Sequence, residues 1–352
     1  MESQIFFAIG LMSGTSLDGL DICYAKFTQT DSAWNFEILN CETLPYSSDW
    51  EQSLRNAVNL SSEEVLKLNV DYGFYLGEKT SEFISKHKII NLDLIASHGH
   101  TVFHQPKNKF TLQIGDGRAI KSKTNKTVIY DFRSQDVILG GNGAPLVPIG
   151  DELLFSNFDA CLNLGGFSNI SLKRNERRIA FDICPVNILL NSFAEKFGEK
   201  FDKNGEIART GTIDHQLLEN LNELEFYKQT APKSLGIEWI NNQISPLIQN
   251  QKSEDLLATL TEHSAIQIAK ICDEFEIINM LVTGGGTYNS YLIEKIKAKT
   301  KTEIQIPAKE IIEYKEALIF AFMGVLRSLN LNNVLSSATG SLMNHSSGLI
   351  II

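Results

Sequence analysis

Short runs of apolar and β-branched residues alternate along this chain with longer stretches where apolar positions recur every three or four residues. Residues 5–11, 21–27 and 34–43 predict three consecutive strands. A long helical period then runs to about His87. Ser61 and Glu64 at its start fit a capping box, in which each side chain satisfies a free backbone N–H. Residues 92–96 and 128–132 predict short buried strands flanking "SHGHTVFHQP" and "TLQIGDG". "LGGNGAPLVPIGD" (139–151) follows and reads as a seam.

Beyond the seam the pattern starts again. Residues 160–164, a "GGFSN" turn, 170–173 and 178–183 predict strand, turn, return strand and third strand. Helices are expected over 188–197, 215–224, 240–250 and 253–275. A strand over 278–283 leads into "GGG" and a helix from about Asn289; "EIQIP" is a short strand, and 313–329 closes the chain's periodic part as an amphipathic helix. Two such halves predict an α/β protein of two related lobes with a cleft between them. The expected division is 1–135 and 136–352, with the last segment free to return to the first lobe.

Charge and cysteine usage narrow the class. With 32 basic and 42 acidic residues the net charge is 32 − 42 = −10. That argues against nucleic acid and against an anionic membrane surface as partners. An anionic substrate would need a locally built site. Five cysteines with wide spacing and no C-x-x-C predict free, mostly buried thiols in a reducing compartment. Neither a secretory leader nor an apolar run of membrane-spanning length is visible, so the cytoplasm is the expected location.

Candidate chemistry concentrates in a few loops. "GLMSGTSLDGLD" places glycines, hydroxyls and two carboxylates directly after the first strand. Glycines let backbone N–H groups face inward, Ser13, Thr15 and Ser16 add hydroxyls, and Asp18 and Asp21 can hold Mg²⁺ or orient water. The stretch is a candidate phosphate seat, set against a decorated β-turn. No Lys follows, so it is not the P-loop pattern. "LVTGGGTYNSYL" joins a strand to a helix start and suits a nucleotide as well as it suits tight packing. His98, His100 and His104 have a spacing that invites a metal reading. No Asp, Glu or Cys in the segment completes a ligand set, so hydrogen bonding to a polar substrate or to the cleft wall is favoured. Asp182 in "FDICPVN" sits at an expected strand end, where a carboxylate can take a proton from a nucleophilic water or hold the next turn.

These segments, with "RSQD…GGNGAPLVP", "NLGGFSNIS", "DKNGEIARTG" and "KSLGIEW", stand in the order and spacing of the anhydro-N-acetylmuramic acid kinases. The chain resembles that family from Gly10 to about Gly324. The resemblance implies an actin/hexokinase-like, ribonuclease H-like fold of two lobes closing over ATP. It implies a kinase that opens 1,6-anhydro-N-acetylmuramic acid with water and phosphorylates O6 in cell-wall recycling. Gly14, Thr15, Ser16, Leu17, Asp18, Gly19, Leu20 and Asp21 would then hold the ATP phosphates, and Gly284, Gly285 and Gly286 would face the nucleotide. Asp182 would be the base, with His98, His100 and Asn187 toward the sugar. Mg²⁺ is implied without assigned ligands, and a homodimer is admitted. The chain departs from the family at Ile183 and Val186, where glycines are usual, at His100 for Gln, at Ile237 for Arg and at Asp151 for His. Those departures keep two alternatives open: a kinase of another amino sugar, and a nucleotide- or muropeptide-binding regulator without turnover.

Overall fold

The computed structural model describes residues 3–14, 17–31, 33–248 and 251–352. Its strands are β1 (Gln4–Ser13), β2 (Leu20–Gln29), β3 (Trp34–Leu44), β4 (Leu94–Ser97), β5 (His100–Gln105), β6 (Phe110–Ile114), β7 (Thr127–Tyr130), β8 (Ala160–Leu164), β9 (Phe167–Arg174), β10 (Arg177–Pro185), β11 (Asn279–Thr283), β12 (Glu303–Gln305) and β13 (Leu349–Ile351). The chain divides into two compact units, Met1–Phe155 with Tyr314–Ile352, and Ser156–Glu313.

In the first unit the sheet order is β13-β7-β4-β1-β2-β3. β1, β2 and β3 form an antiparallel meander, while β4 and β7 add in parallel on the other side of β1. β1 reads as an almost unbroken apolar run because both faces are covered. Ile9 and Leu11 pack in the cluster that holds Tyr72, Leu76 and Phe83 of helix Ser62–Lys86. Gly10 points the other way, and a Cβ there would collide with the Ala317 carbonyl of helix Lys309–Ser328. The capping box is present: Glu64 N–H donates to Ser61 Oγ, and Ser61 N–H donates to Glu64 Oε2 at 2.8 Å.

The second unit repeats the scheme. Its sheet order is β10-β9-β8-β11-β12, again an antiparallel meander with two parallel strands beside its first member. Helix Ser253–Glu274 contributes Leu257, Leu260 and Ile268 to the same core as Leu162, Ile170 and Met280. The shared order, third-second-first-fourth-fifth, is the ribonuclease H-like arrangement of the two-lobed actin/hexokinase-like fold.

Three expectations are corrected. The first unit extends to Phe155, beyond the expected 135/136 division, because the loop after Arg133 is tied inside it. There Asp136 Oδ1 accepts from Thr339 Oγ1 at 2.7 Å, and Asp151 pairs with Lys315 at 2.7 Å. The turn in "NLGGFSN" is only Gly165–Gly166, since β9 already begins at Phe167. The segment expected as one helix over 240–250 opens as Ile237–Trp239 and widens to a π-helix over Ile240–Ile244; Asn250 lies outside the described residues.

Candidate active site

In the first unit the loop between β1 and β2 is the segment expected to hold phosphates. Thr15 and Ser16 lie outside the described residues. The rest divides into apolar anchors and polar groups. Leu17 and Leu20 are buried in the core, so they fasten the loop rather than line a ligand. Leu17 adopts a left-handed conformation, φ 61°, which is uncommon without Gly and marks a strained loop. Gly19 lies against the Leu44 carbonyl, where a Cβ would come within 2.5 Å. Asp18 is exposed, and Asp21 Oδ1 accepts from Thr43 Oγ1 at 2.6 Å.

Behind this loop stands a hydroxyl cluster that the sequence did not reveal. Tyr46 OH donates to Ser13 Oγ at 2.7 Å, Tyr72 OH lies 2.6 Å from Tyr46 OH, and His100 Nδ1 lies 3.0 Å from Ser13 Oγ. No sequence signal links these positions, which come from four separate segments.

His98 and His100 do not share a strand. Gly99, at φ 74°, breaks the chain between them, leaving His98 after β4 and His100 at the head of β5. Both nitrogens of His98 are used within the unit. Nε2 accepts from Arg133 Nε at 2.8 Å, so Nδ1–H donates to the Gly99 carbonyl. Burial and the neighbouring guanidinium hold its pKa well below the usual range. His98 therefore orients Arg133 rather than offering a free group. His100 is also buried, which lowers its pKa to about 4. No cluster of three or more metal-ligating side chains occurs among the described residues.

In the second unit Asp182 lies within β10, which continues to Pro185 rather than ending there. A bulge between Asp182 and Cys184 re-aims the strand at this point. Leu235 N–H donates to Asp182 Oδ2 at 2.8 Å, and Asp182 N–H donates to the Lys233 carbonyl at 2.9 Å. Burial raises the carboxyl pKa, and the Leu235 N–H partly offsets the rise. The backbone of "KSLGIEW" is thus what positions the carboxylate. Asp182 stands opposite Asn169, Asn169 opposite Asn163, and Asn163 opposite Thr283. The four side chains thus form one polar row on one face of the sheet.

The row ends at the glycine loop. Gly284, at φ 86°, packs so closely on Leu164 and Asn163 that a Cβ would lie 2.9 Å from the Leu164 backbone. Gly285–Tyr288 is a 3₁₀ turn, and helix Ser290–Lys297 starts after it, capped by the Asn289 side chain on Leu292 N–H. Asn187 Nδ2 donates to the Leu164 carbonyl at 2.9 Å, and a Cβ on Gly286 would lie 3.3 Å from Asn187 Oδ1. The second unit therefore gathers Gly284, Gly285, Gly286 and Asn187 in one place. Asn187 serves there as a tie under the loop.

A family model for "Anhydro-N-acetylmuramic acid kinase" matches residues 6–352. The chain belongs to the anhydro-N-acetylmuramic acid kinase family. Relatives of that name include one from Bacillus thuringiensis (strain Al Hakam), 33% identical over 96% of this chain and 96% of that protein. One from Francisella tularensis subsp. novicida (strain U112) is 31% identical over 96% and 97%. One from Sulfurimonas denitrificans is 31% identical over 98% and 99%. Membership makes the protein a phosphotransferase, a kinase of anhydro-N-acetylmuramic acid that uses ATP. No helix among the described residues is long and apolar enough to cross a membrane.

The departures from the family pattern fall into different places. Ile183 and Val186 are sunk in the core of the second unit, together with Cys184. The side chains that stand where glycines are usual are thus taken up by core packing. Asp151 is buried and ion-paired with Lys315. Ile237 alone is exposed, at the rim of a cavity of about 320 Å³ shared with Ile188, Phe193 and Ile248.

Proposed function

We propose that the protein opens 1,6-anhydro-N-acetylmuramic acid with water and phosphorylates O6, with Asp182 as the base. Water's oxygen bonds to the anomeric carbon while the bond from that carbon to O6 breaks. The water proton goes to the Asp182 carboxylate, and O6 takes the γ-phosphoryl group of ATP, leaving ADP. The observation that carries this reading is the setting of Asp182. One carboxylate oxygen is fixed by Leu235 N–H, burial raises the pKa, and a polar row leads from it to the glycine loop. A base tuned upward toward neutral pH is suited to taking a proton from water.

Gly14, Thr15, Ser16, Asp18, Gly19 and Asp21 hold the phosphates in this reading, with Leu17 and Leu20 as anchors of the loop. Gly284, Gly285 and Gly286 face the nucleotide over the Asn187 tie. His100 contacts the sugar, and His98 supports it through Arg133. Mg²⁺ at phosphotransfer sites takes one or two carboxylates and completes its shell with nucleotide oxygens and water. Asp18 and Asp21 fit that demand, and the ion would neutralise charge on the transferring phosphoryl group.

Incubation with the anhydro sugar, ATP and Mg²⁺ tests the proposal, with mass spectrometry for the 6-phosphate. The expected product is N-acetylmuramic acid 6-phosphate. Absence of any sugar phosphate would sink the reading. A kinase of another amino sugar now rests on the exposed Ile237 and on His100, since Ile183 and Val186 are taken up by core packing and Asp151 by an ion pair.

A further inference from the structure

The hydroxyl cluster behind the phosphate loop has a direction. Tyr46 gives its one hydrogen to Ser13 Oγ. The hydrogen between Tyr46 and Tyr72 must then come from Tyr72. Ser13 Oγ already accepts from Tyr46. If His100 Nδ1 also donated to it, the serine hydrogen would be left only the Tyr72 oxygen, with which Ser13 makes no hydrogen bond of normal geometry. With that hydrogen donated to His100 Nδ1, each hydroxyl hydrogen of the chain has an acceptor, and the imidazole proton sits on Nε2. The order is Tyr72 to Tyr46 to Ser13 to His100.

The chain is built to last across pH. Burial keeps the Tyr72 phenol well above its usual range and pushes Tyr46 up to about 12, so both stay protonated. Burial likewise keeps His100 neutral down to about pH 4. His100 Nε2 has no hydrogen-bond partner among the described residues, and it is not among the buried polar atoms left without one. Nε2–H is thus a single, fixed donor without a partner among the described residues.

The geometry points to a tautomer lock: Tyr72, Tyr46 and Ser13 fix His100 with its proton on Nε2, and that N–H donates to an uncharged oxygen of the amino sugar. The sugar part rests on the kinase reading above. A neutral imidazole with no charged partner suits a hydroxyl, ether or amide oxygen, and it presents one donor where a carboxamide side chain would present two.

Nitrogen-15 NMR of the histidine ring in the wild-type protein tests the lock without any variant. The expected signature is a protonated Nε2 and an unprotonated Nδ1 from pH 5 to 8. A protonated Nδ1, or averaging between both forms, would overturn it. Ser13→Ala should convert the fixed signature to a mixture; an unchanged signature would mean the chain does not set it. The ligand assignment is read from steady-state constants. His100→Ala should raise KM for the sugar about tenfold, as loss of one buried hydrogen bond does, with KM for ATP unchanged. His100→Gln, which restores an N–H donor, should recover most of that loss. A shift in KM for ATP alone would refute the sugar contact. If Asp182→Asn retained full turnover, the kinase reading would fail while the tautomer result stood.

Discussion

The two units share one strand order and differ in what their first hairpin carries. In the first unit β1 and β2 are joined by a long loop of Gly, Ser, Thr and Asp, strained at Leu17 and backed by the Ser13 hydroxyl chain. In the second, β8 and β9 turn on Gly165 and Gly166 alone, and the chemistry lies in the strands: Asn163, Asn169 and Asp182 in one row. The same scaffold thus supports a loop suited to holding phosphate oxygens in one copy and a strand-borne proton acceptor in the other. Function here follows from which residues decorate a position, not from the fold that supplies it.

The sharpest way to break this contrast is Asp182→Asn. The amide still accepts from Leu235 N–H but takes no proton, so turnover should fall by about a thousandfold, within the range typical of a lost general base. ATP affinity should stay the same, because neither the phosphate loop nor the Gly284–Gly286 loop is held by the Asp182 carboxylate. Calorimetric titration beside the rate assay checks both, and a variant that loses ATP binding would contradict the separation. The raised carboxyl pKa has a second consequence. A group whose folded pKa is raised favours the fold below its unfolded pKa and loses that contribution as pH rises through the folded value. Asp182 is therefore a stability cost at neutral pH, and the Asn variant should melt slightly higher.

The first unit has its own weak point. Lys315 and Asp151 are both buried and paired. Lys315→Met would strand a buried carboxylate and should cost about 3–5 kcal/mol by chemical denaturation. A loss under 1 kcal/mol would mean the pair is solvated. Acid should weaken both units together. His100 is held to about pH 4 and His263 to about pH 3 by burial, against 6.5 in the unfolded chain. Their contribution is complete above pH 6.5 and is lost as pH falls through those values. The unfolding midpoint should drop over that window, and His263→Gln should flatten the drop; an identical slope would contradict the assignment. The smallest effect is expected from Ile237→Arg. It should shift KM for the sugar by a few-fold and leave KM for ATP alone, since one exposed side chain contributes little.

Much of this was legible in the chain, and the parts that were not share a physical reason. Alternation located β1, β2, β3 and β8, and the spacing of Ser61 and Glu64 located a helix start, because those signals are local. The β5–β6 hairpin and helix Gly117–Thr124 were missed: both are short, and polar and glycine residues interrupt their apolar pattern. The extent of the first unit depended on Asp136 meeting Thr339, far away in sequence. At the site, Asp182 and the three glycines stood out by residue type. Leu235 did not, since it acts through its backbone, and Ser13, Tyr46, Tyr72 and His100 are joined only by folding.

The central claim is that ring opening and phosphoryl transfer are one coupled event. The most direct measurement is the ratio of ADP to sugar phosphate formed from the anhydro sugar, for the wild type and for Asp182→Asn. The account predicts one ADP per N-acetylmuramic acid 6-phosphate in the wild type, and neither product above background in the variant. ADP released with free phosphate and no phosphorylated sugar, or an Asp182→Asn protein that turns over like the wild type, would contradict it.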